Sequence, residues 1–178
     1  LFLFFLATRF LSLLFSVVLC VPQIVLFASS VASCPLSFGS SFPHIRSGVG
    51  AVATQAYPTP YLGICGLERL EQNVDAQDVL ETLLTDDVLR DRRQFHLIDV
   101  QGRTASWTGP ECGGWAGHRF QSDLSVAGNF LVGEEVLEAR EQGVGMSGPS
   151  WKGGGRWGGG RGAGDAGGGE SRGGEARG

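Results

Sequence analysis

The sequence predicts an α+β domain with helices layered on sheets. Three observations lead there. One central stretch, Ser47 to Gln142, has ordinary globular composition. Strand candidates within it cluster instead of alternating strictly with helices. Its helix candidates are short, and each shows apolar residues at helical spacing on one face only.

The elements follow in chain order. Leu1 to Ala32 is rich in Leu, Phe, Val, Ala and Ser, with Arg9 as its one charge. Apolar runs alone allow three readings here. Phe10 to Val21 fits the apolar core of a signal peptide, with small residues at Ala28-Ser29-Ser30 and Val31-Ala32-Ser33 for cleavage. Phe10 to Ala32 fits one membrane span, although Pro22 and Gln23 interrupt it. Phe15 to Leu19 and Val25 to Ser33 fit two buried strands. Localisation follows the choice: cytoplasmic for the strand pair, exported or membrane-associated for the other two.

Gly48 to Ala56 is a small-residue strand whose glycines suggest close packing against a neighbouring layer. Tyr57-Pro58-Thr59-Pro60-Tyr61 reads as a rigid loop, because each Pro pushes its predecessor out of helix. Leu67, Leu70 and Val74 mark one face of a helix over Gly66 to Val74. Asp75 is the expected N-cap of a second helix, with Asp78 at N3 and Val79, Leu80, Leu83 and Leu84 as its apolar face. Asp86 and Asp87 end it. Gln94 to Val100 and Thr104 to Thr108 flank Gln101-Gly102-Arg103 as a β-hairpin. Gly109 to Gly117 is loop-like. Leu124 to Val132 is a strand, bent or bulged at Gly128. Glu134 to Gln142 is a helix, with Glu134 and Glu135 at its positive end.

Charge and cysteine usage narrow the function classes. The 178-residue chain has a formal net charge of −4, unevenly spread. Gly48 to Gln142 holds fifteen acidic residues against seven arginines, a net of −8. That argues against a nucleic-acid-binding core. Gly143 to Gly178 is Gly-rich, lacks an apolar period and reads as a disordered tail. Cys20, Cys34, Cys65 and Cys112 form no C-x-x-C, and no His stands at zinc-finger spacing, so no metal site is expected. They read as reduced thiols, with two disulfides open to an exported chain.

Three blocks resemble a known family. GVGAVATQAY (Gly48 to Tyr57) is close to a signature of the family catalogued as domain of unknown function 1028. RQFHLIDVQGRTASWTGPECGGWAGHR (Arg93 to Arg119) matches its strand, turn, strand and T-G-x-x-C-x-x-W-A-G-H pattern. AGNFLVGEEVLEA (Ala127 to Ala139) resembles its G-N-x-L-x-G-x-x-V block. Upstream, VASCPLSFGSSFPHIRSG (Val31 to Gly48) and Phe15-Ser16-Val17-Val18 followed by Pro22 keep the register, the latter resembling T-F-S-I-V. The resemblance covers Phe15 to Ala139, about two-thirds of the chain. It favours the strand pair, with residues 1–13 as an apolar leader or doubtful segment, 14–142 as the domain and 143–178 as the tail.

The resemblance implies an Ntn-hydrolase-like αββα sandwich of two packed sheets with outer helices, incomplete at its C-terminus. In that superfamily a Thr, Ser or Cys freed at the N-terminus is the nucleophile. Its own α-amino group, with a pKa of about 8, is the base. Hydrolysis of amide or other C–N bonds is the implied activity, with a small-molecule substrate, no cofactor and the possibility of a homo-oligomer. In this chain Leu14 stands where the family has the Thr. The alternatives are therefore a non-catalytic binding or assembly domain, or a membrane-tethered protein.

Candidate residues follow from chemistry and place. Ser16 is the hydroxyl nearest the expected nucleophile position. Cys112 could form a thiolate with His118, and His118 and Glu111 can both exchange protons. Asn129, Gln55 and Thr54 could line a pocket or stabilise an oxyanion. Trp107 and Trp115 read as packing residues, and His96 as a surface or satisfied core histidine.

Overall fold

The computed structural model describes residues 14–33 and 42–145. The 1–13 leader, Cys34 and the greater part of the Gly-rich tail lie outside the described residues. Among the described residues eight strands form two four-stranded antiparallel sheets. The first sheet has the order β2-β1-β8-β7, from β1 (Leu14–Val21), β2 (Leu26–Ser33), β7 (Trp115–Gln121) and β8 (Leu124–Leu131). The second has the order β3-β4-β5-β6, from β3 (Pro43–Arg46), β4 (Gly50–Ala56), β5 (Arg93–Asp99) and β6 (Thr104–Thr108). Helices α1 (Pro60–Glu71) and α2 (Ala76–Asp86) lie between β4 and β5 in sequence, and α3 (Glu135–Gly145) follows β8.

Residues 14–33 thus form an antiparallel hairpin, with Phe15 opposite Ala32 and Cys20 opposite Phe27. The membrane-span expectation over Phe10 to Ala32 is corrected for its described part. Among the described residues no helix is long and apolar enough to cross a membrane. Pro22 and Gln23, which interrupt the apolar run, belong to the 3₁₀ turn Pro22–Ile24 that joins the strands.

Strand alternation divides the core. Val18, Cys20, Phe27, Ala51, Ala53 and Ile98 meet between the two sheets. Val52, Phe95, Leu97 and Ala105 face the other way, under Leu67 and Leu70 of α1 and Val79, Leu80, Leu83 and Leu84 of α2. On the far side Val17, Leu124, Val126 and Leu131 pack against Leu137 of α3. Arg119 on β7 holds α3 in place through Glu134 at 2.7 Å, Glu138 at 3.0 Å and Glu141 at 2.9 Å.

Local chemistry accounts for the element ends. Asp75 caps α2, its carboxylate accepting from the Gln77 N–H at 2.8 Å. The buried Asp99 carboxylate accepts from the N–H groups of Gln101 and Arg103, both at 2.9 Å, and so builds the β5–β6 turn. Gly102 in that turn has φ +78°, a conformation that favours glycine.

Three expectations are corrected. Helix α1 begins at Pro60, not Gly66, because Pro at N1 fits a helix start and loses no needed hydrogen bond. β7 begins at Trp115, inside the stretch read as loop. There the Trp115 ring lies 2.7 Å from where a Gly117 Cβ would stand, so the glycine makes room for the indole. β3 was not foreseen; its Pro43 is tolerated as the first residue of an edge strand. The irregularity near Gly128 is a register shift against Trp115 and Gly117, with Phe130 at φ +54°. Helix α3 runs to Gly145, past the 142 boundary.

Gly50 shows how tightly β4 is packed. A Cβ there would stand 2.4 Å from the Ile98 carbonyl oxygen and 2.8 Å from Leu70 Cδ1. Gly50→Ala is expected to cost about 1–3 kcal/mol through forced backbone movement. A urea midpoint unchanged from that of the parent chain would contradict this.

Candidate functional site

The layer between the sheets is unusually polar. Gln94, His96 and Ile98 alternate along β5 toward this layer, and all are fully buried. Ser16 on β1, Gln55 on β4, and Ser125 and Asn129 on β8 are buried too. Buried polar groups need partners, and here they find one another in two groups.

The first group runs across the sheets. Ser16 Oγ lies 2.7 Å from His96 Nε2, and His96 Nδ1 lies 2.8 Å from Ser125 Oγ. Ser125 Oγ is in turn 2.9 Å from Ser106 Oγ. Burial, then the nearby His118, pushes the His96 pKa down to about 3. The ring is therefore neutral, with one nitrogen donating and the other accepting. A hydroxyl, an imidazole and an orienting group in a row resemble a nucleophile with its base. Ser16, His96 and Ser125 are fully buried, however, and the row meets partly exposed surface at Ser106, its far end.

The second group centres on Gln94. Its Oε1 accepts from Gln55 Nε2 at 2.6 Å and from Asn129 Nδ2 at 3.0 Å. Its Nε2 has Thr108 Oγ1, Gly117 O and Gly128 O as acceptors, each at 2.9 Å, which share its two hydrogens. Thr108 Oγ1 also lies 2.8 Å from His118 Nδ1. Burial pushes the His118 pKa down to about 4. Gln55 Oε1 is buried without a partner.

Leu14 stands at the same end of the molecule, opposite Asn129 on one side and Ser33 on the other. It is 9% exposed, so it is packed into the sheet and not presented to solvent. Two backbone outliers flank the amides: Ala56, after Gln55, at φ +68° and Phe130, after Asn129, at φ +54°. Such conformations cost about 1–3 kcal/mol each and concentrate where a site demands them.

The structure brings Ser16, Gln55, Asn129 and His118 into the intersheet layer. It leaves Thr54, Glu111 and Cys112 outside. Thr54 follows Ala53 on β4, so alternation turns it toward the helices, where its hydroxyl donates to Thr59 O at 3.4 Å. Glu111 is exposed and pairs loosely with Arg92 at 3.8 Å. Cys112 Sγ donates to Arg93 O at 3.4 Å, while His118 turns to Thr108, so the Cys–His pair is not formed. Burial pushes the Cys112 thiol up to about 11, away from a thiolate. Among the described residues no group of three metal-ligating side chains converges.

Sequence reasoning missed Gln94, and with it Ser106, Thr108 and Ser125. The signal for Gln94 was present in QFHLIDV, where Gln94 and His96 share a strand face. That face reads as solvated unless a second sheet covers it.

The model of a family of unknown function (DUF1028) matches residues 14–177. The crystal structure of protein SPO2555 from Silicibacter pomeroyi, described with the same family model, is similar at 26% sequence identity and a TM-score of 0.71. The similarity covers 74% of this chain and 61% of that one, so this chain spans less than two-thirds of that structure's length. No curated protein matches.

Proposed function

This chain belongs to the DUF1028 family, and from that premise we propose that it is an Ntn-hydrolase-like domain that acts as a non-catalytic binding or assembly domain. The observation that carries this is Leu14. The position expected to hold the nucleophile has an apolar side chain packed against its neighbours, 9% exposed. A leucine supplies neither hydroxyl nor thiol, whatever the state of its amine. The fold-level part draws support from two sheets with helices outside both. Residues 14–142 are taken as the domain, with a small molecule or a second copy as the partner class.

A second reading is favoured by one observation. The amides of Gln55, Gln94 and Asn129 gather beside Leu14, flanked by the strained Ala56 and Phe130. Such amides are what an amide hydrolase would place around its oxyanion, so the second reading is a hydrolase whose native chain carries an N-terminal Thr, Ser or Cys here.

One experiment separates the two. Chain from the native source is treated with a β-lactone electrophile and its intact mass and adduct site are determined. No adduct at residue 14 is expected. A control chain that begins at residue 14 and carries Leu14→Thr is expected to gain one adduct at its new N-terminus. An adduct on an N-terminal Thr, Ser or Cys of the native chain would overturn the non-catalytic reading.

A further inference from the structure

A strand at the edge of a sheet presents a row of N–H and C=O groups that another strand can pair with. Proteins guard such edges with charge, proline, bulges or short length. Among the described residues the edges are β2 and β7 in one sheet, β3 and β6 in the other. β7 carries Arg119 and a register shift near Trp115 and Gly117. β3 has four residues, begins at Pro43 and ends at Arg46. β6 has five residues. β2 has none of these devices. Leu26–Ser33 is eight residues long, without charge or proline, and its register against β1 is unbroken from end to end. Among the described residues it pairs with β1 alone. Leu26 and Ser30 on it are exposed, and so are the adjoining Ile24 and Val25.

We propose that β2 is a dimer interface. It pairs antiparallel with β2 of a second copy about a two-fold axis at Ser29, and joins two four-stranded sheets into one of eight strands. This names the surface for the assembly role proposed above, and rests on that reading only in taking a second copy as the partner.

Self-pairing suits this edge for three reasons. A two-fold axis turns each N–H and C=O of one edge onto its counterpart, so an antiparallel strand is complementary to itself. LFASSVAS has no charge, so no like charges meet, although the chain as a whole carries −4. The side chains also match. Phe27 faces the opposite sheet. Alternation therefore puts Ser29 and Val31 on that face, and Leu26, Ala28, Ser30 and Ala32 on the face toward α3. An axis at Ser29 keeps the two faces distinct. It sets Phe27 beside Val31 of the second copy, and the exposed Leu26 beside Ala32 of the second copy. An axis at Ser30 would carry Leu26 past Ser33, the end of the strand.

The test uses the full 178-residue chain. Sedimentation is expected to show a dimer that dissociates on dilution, because one strand pair makes a small interface. Amides of residues 26–33 are expected to exchange more slowly where the dimer forms, while those of β7 do not change. Ser30→Lys and Ser30→Glu place a charge at an exposed position, and circular dichroism confirms their fold. In the proposed pair the two copies of residue 30 lie diagonally across the axis, within reach of long side chains. Each variant alone is expected to weaken association about fivefold or more, and mixing the two is expected to restore it. A parent chain that is monomeric at every concentration overturns the proposal. So does a dimer whose β2 amides exchange as in the monomer, or one that both charge variants leave intact. None of these outcomes alters the electrophile result, so this proposal and the non-catalytic reading fail separately.

Discussion

Gln94→Ala is expected to destabilise the domain by about 3–5 kcal/mol, a large part of the 5–15 kcal/mol typical of a folded domain. The reason is the number of partners it strands. Gln94 accepts from Gln55 and Asn129 and donates toward Thr108, Gly117 and Gly128, all in the layer between the sheets. Each buried group left without a partner costs about 1–3 kcal/mol. Thr108 keeps His118 as a partner, and water entering the vacated space would recover part of the rest. Urea unfolding of Gln94→Ala and Gln94→Met checks the assignment. Methionine fills the space without the polar atoms, so it separates packing from hydrogen bonding. Both variants are expected to be strongly destabilised. A Gln94→Met chain within about 1 kcal/mol of the parent would show that packing, and not the amide hub, is what matters there.

Acid is expected to produce the second large effect. The His96 pKa is held down to about 3 and that of His118 to about 4, in both cases first by burial. The ordinary value is 6.5. Above that value both rings are neutral in the folded and unfolded chains, and stability is unaffected by them. As pH falls below 6.5 the unfolded chain takes up protons that the folded chain refuses. Stability is therefore lost progressively from pH 6.5 toward pH 3, at about 1.4 kcal/mol per pH unit for each fully responding histidine. Asp123 works the other way, because burial and then the Asp99 charge raise its pKa. It is one group against two histidines, so the histidines prevail. Urea midpoints measured at pH 8, 7, 6, 5 and 4.5 should be level at the top and fall steeply below 6. His96→Phe, which has no proton to take up, should flatten the fall even though it leaves Ser16 and Ser125 without their partner. A parent midpoint constant from pH 7 to 4.5 would mean that the rings are not held neutral by the fold.

Much of the fold follows from periodicity and caps. Leu67 and Leu70, then Val79, Leu80, Leu83 and Leu84, announce helices because their spacing makes one apolar face. Asp75 announces a helix start because its carboxylate suits an exposed N–H. The β5–β6 hairpin is legible in Gly102, whose φ of +78° few other residues adopt. Elements that break these rules were less legible. β7 follows Gly113 and Gly114 and contains Gly117, and β3 has four residues and a leading Pro. Both are strands because neighbouring strands supply their hydrogen bonds.

The sequence by itself determined the α+β class, the helix faces, the family resemblance and the leucine at position 14, and through the resemblance it favoured strands at Phe15 to Leu19 and Val25 to Ser33. The tertiary structure alone decided which polar residues act together. Alternation in QFHLIDV assigns Gln94 and His96 to one face, but alternation cannot say whether that face is wet. The second sheet covers it, and burial then forces hydroxyls, amides and the His96 imidazole from β1, β4, β5 and β8 into shared hydrogen bonds. It likewise separates Cys112 from His118, six residues away in sequence but bonded to different partners. Local sequence sets which side of a strand a residue faces; only packing sets what stands opposite, and the cost of an unpaired buried group does the rest.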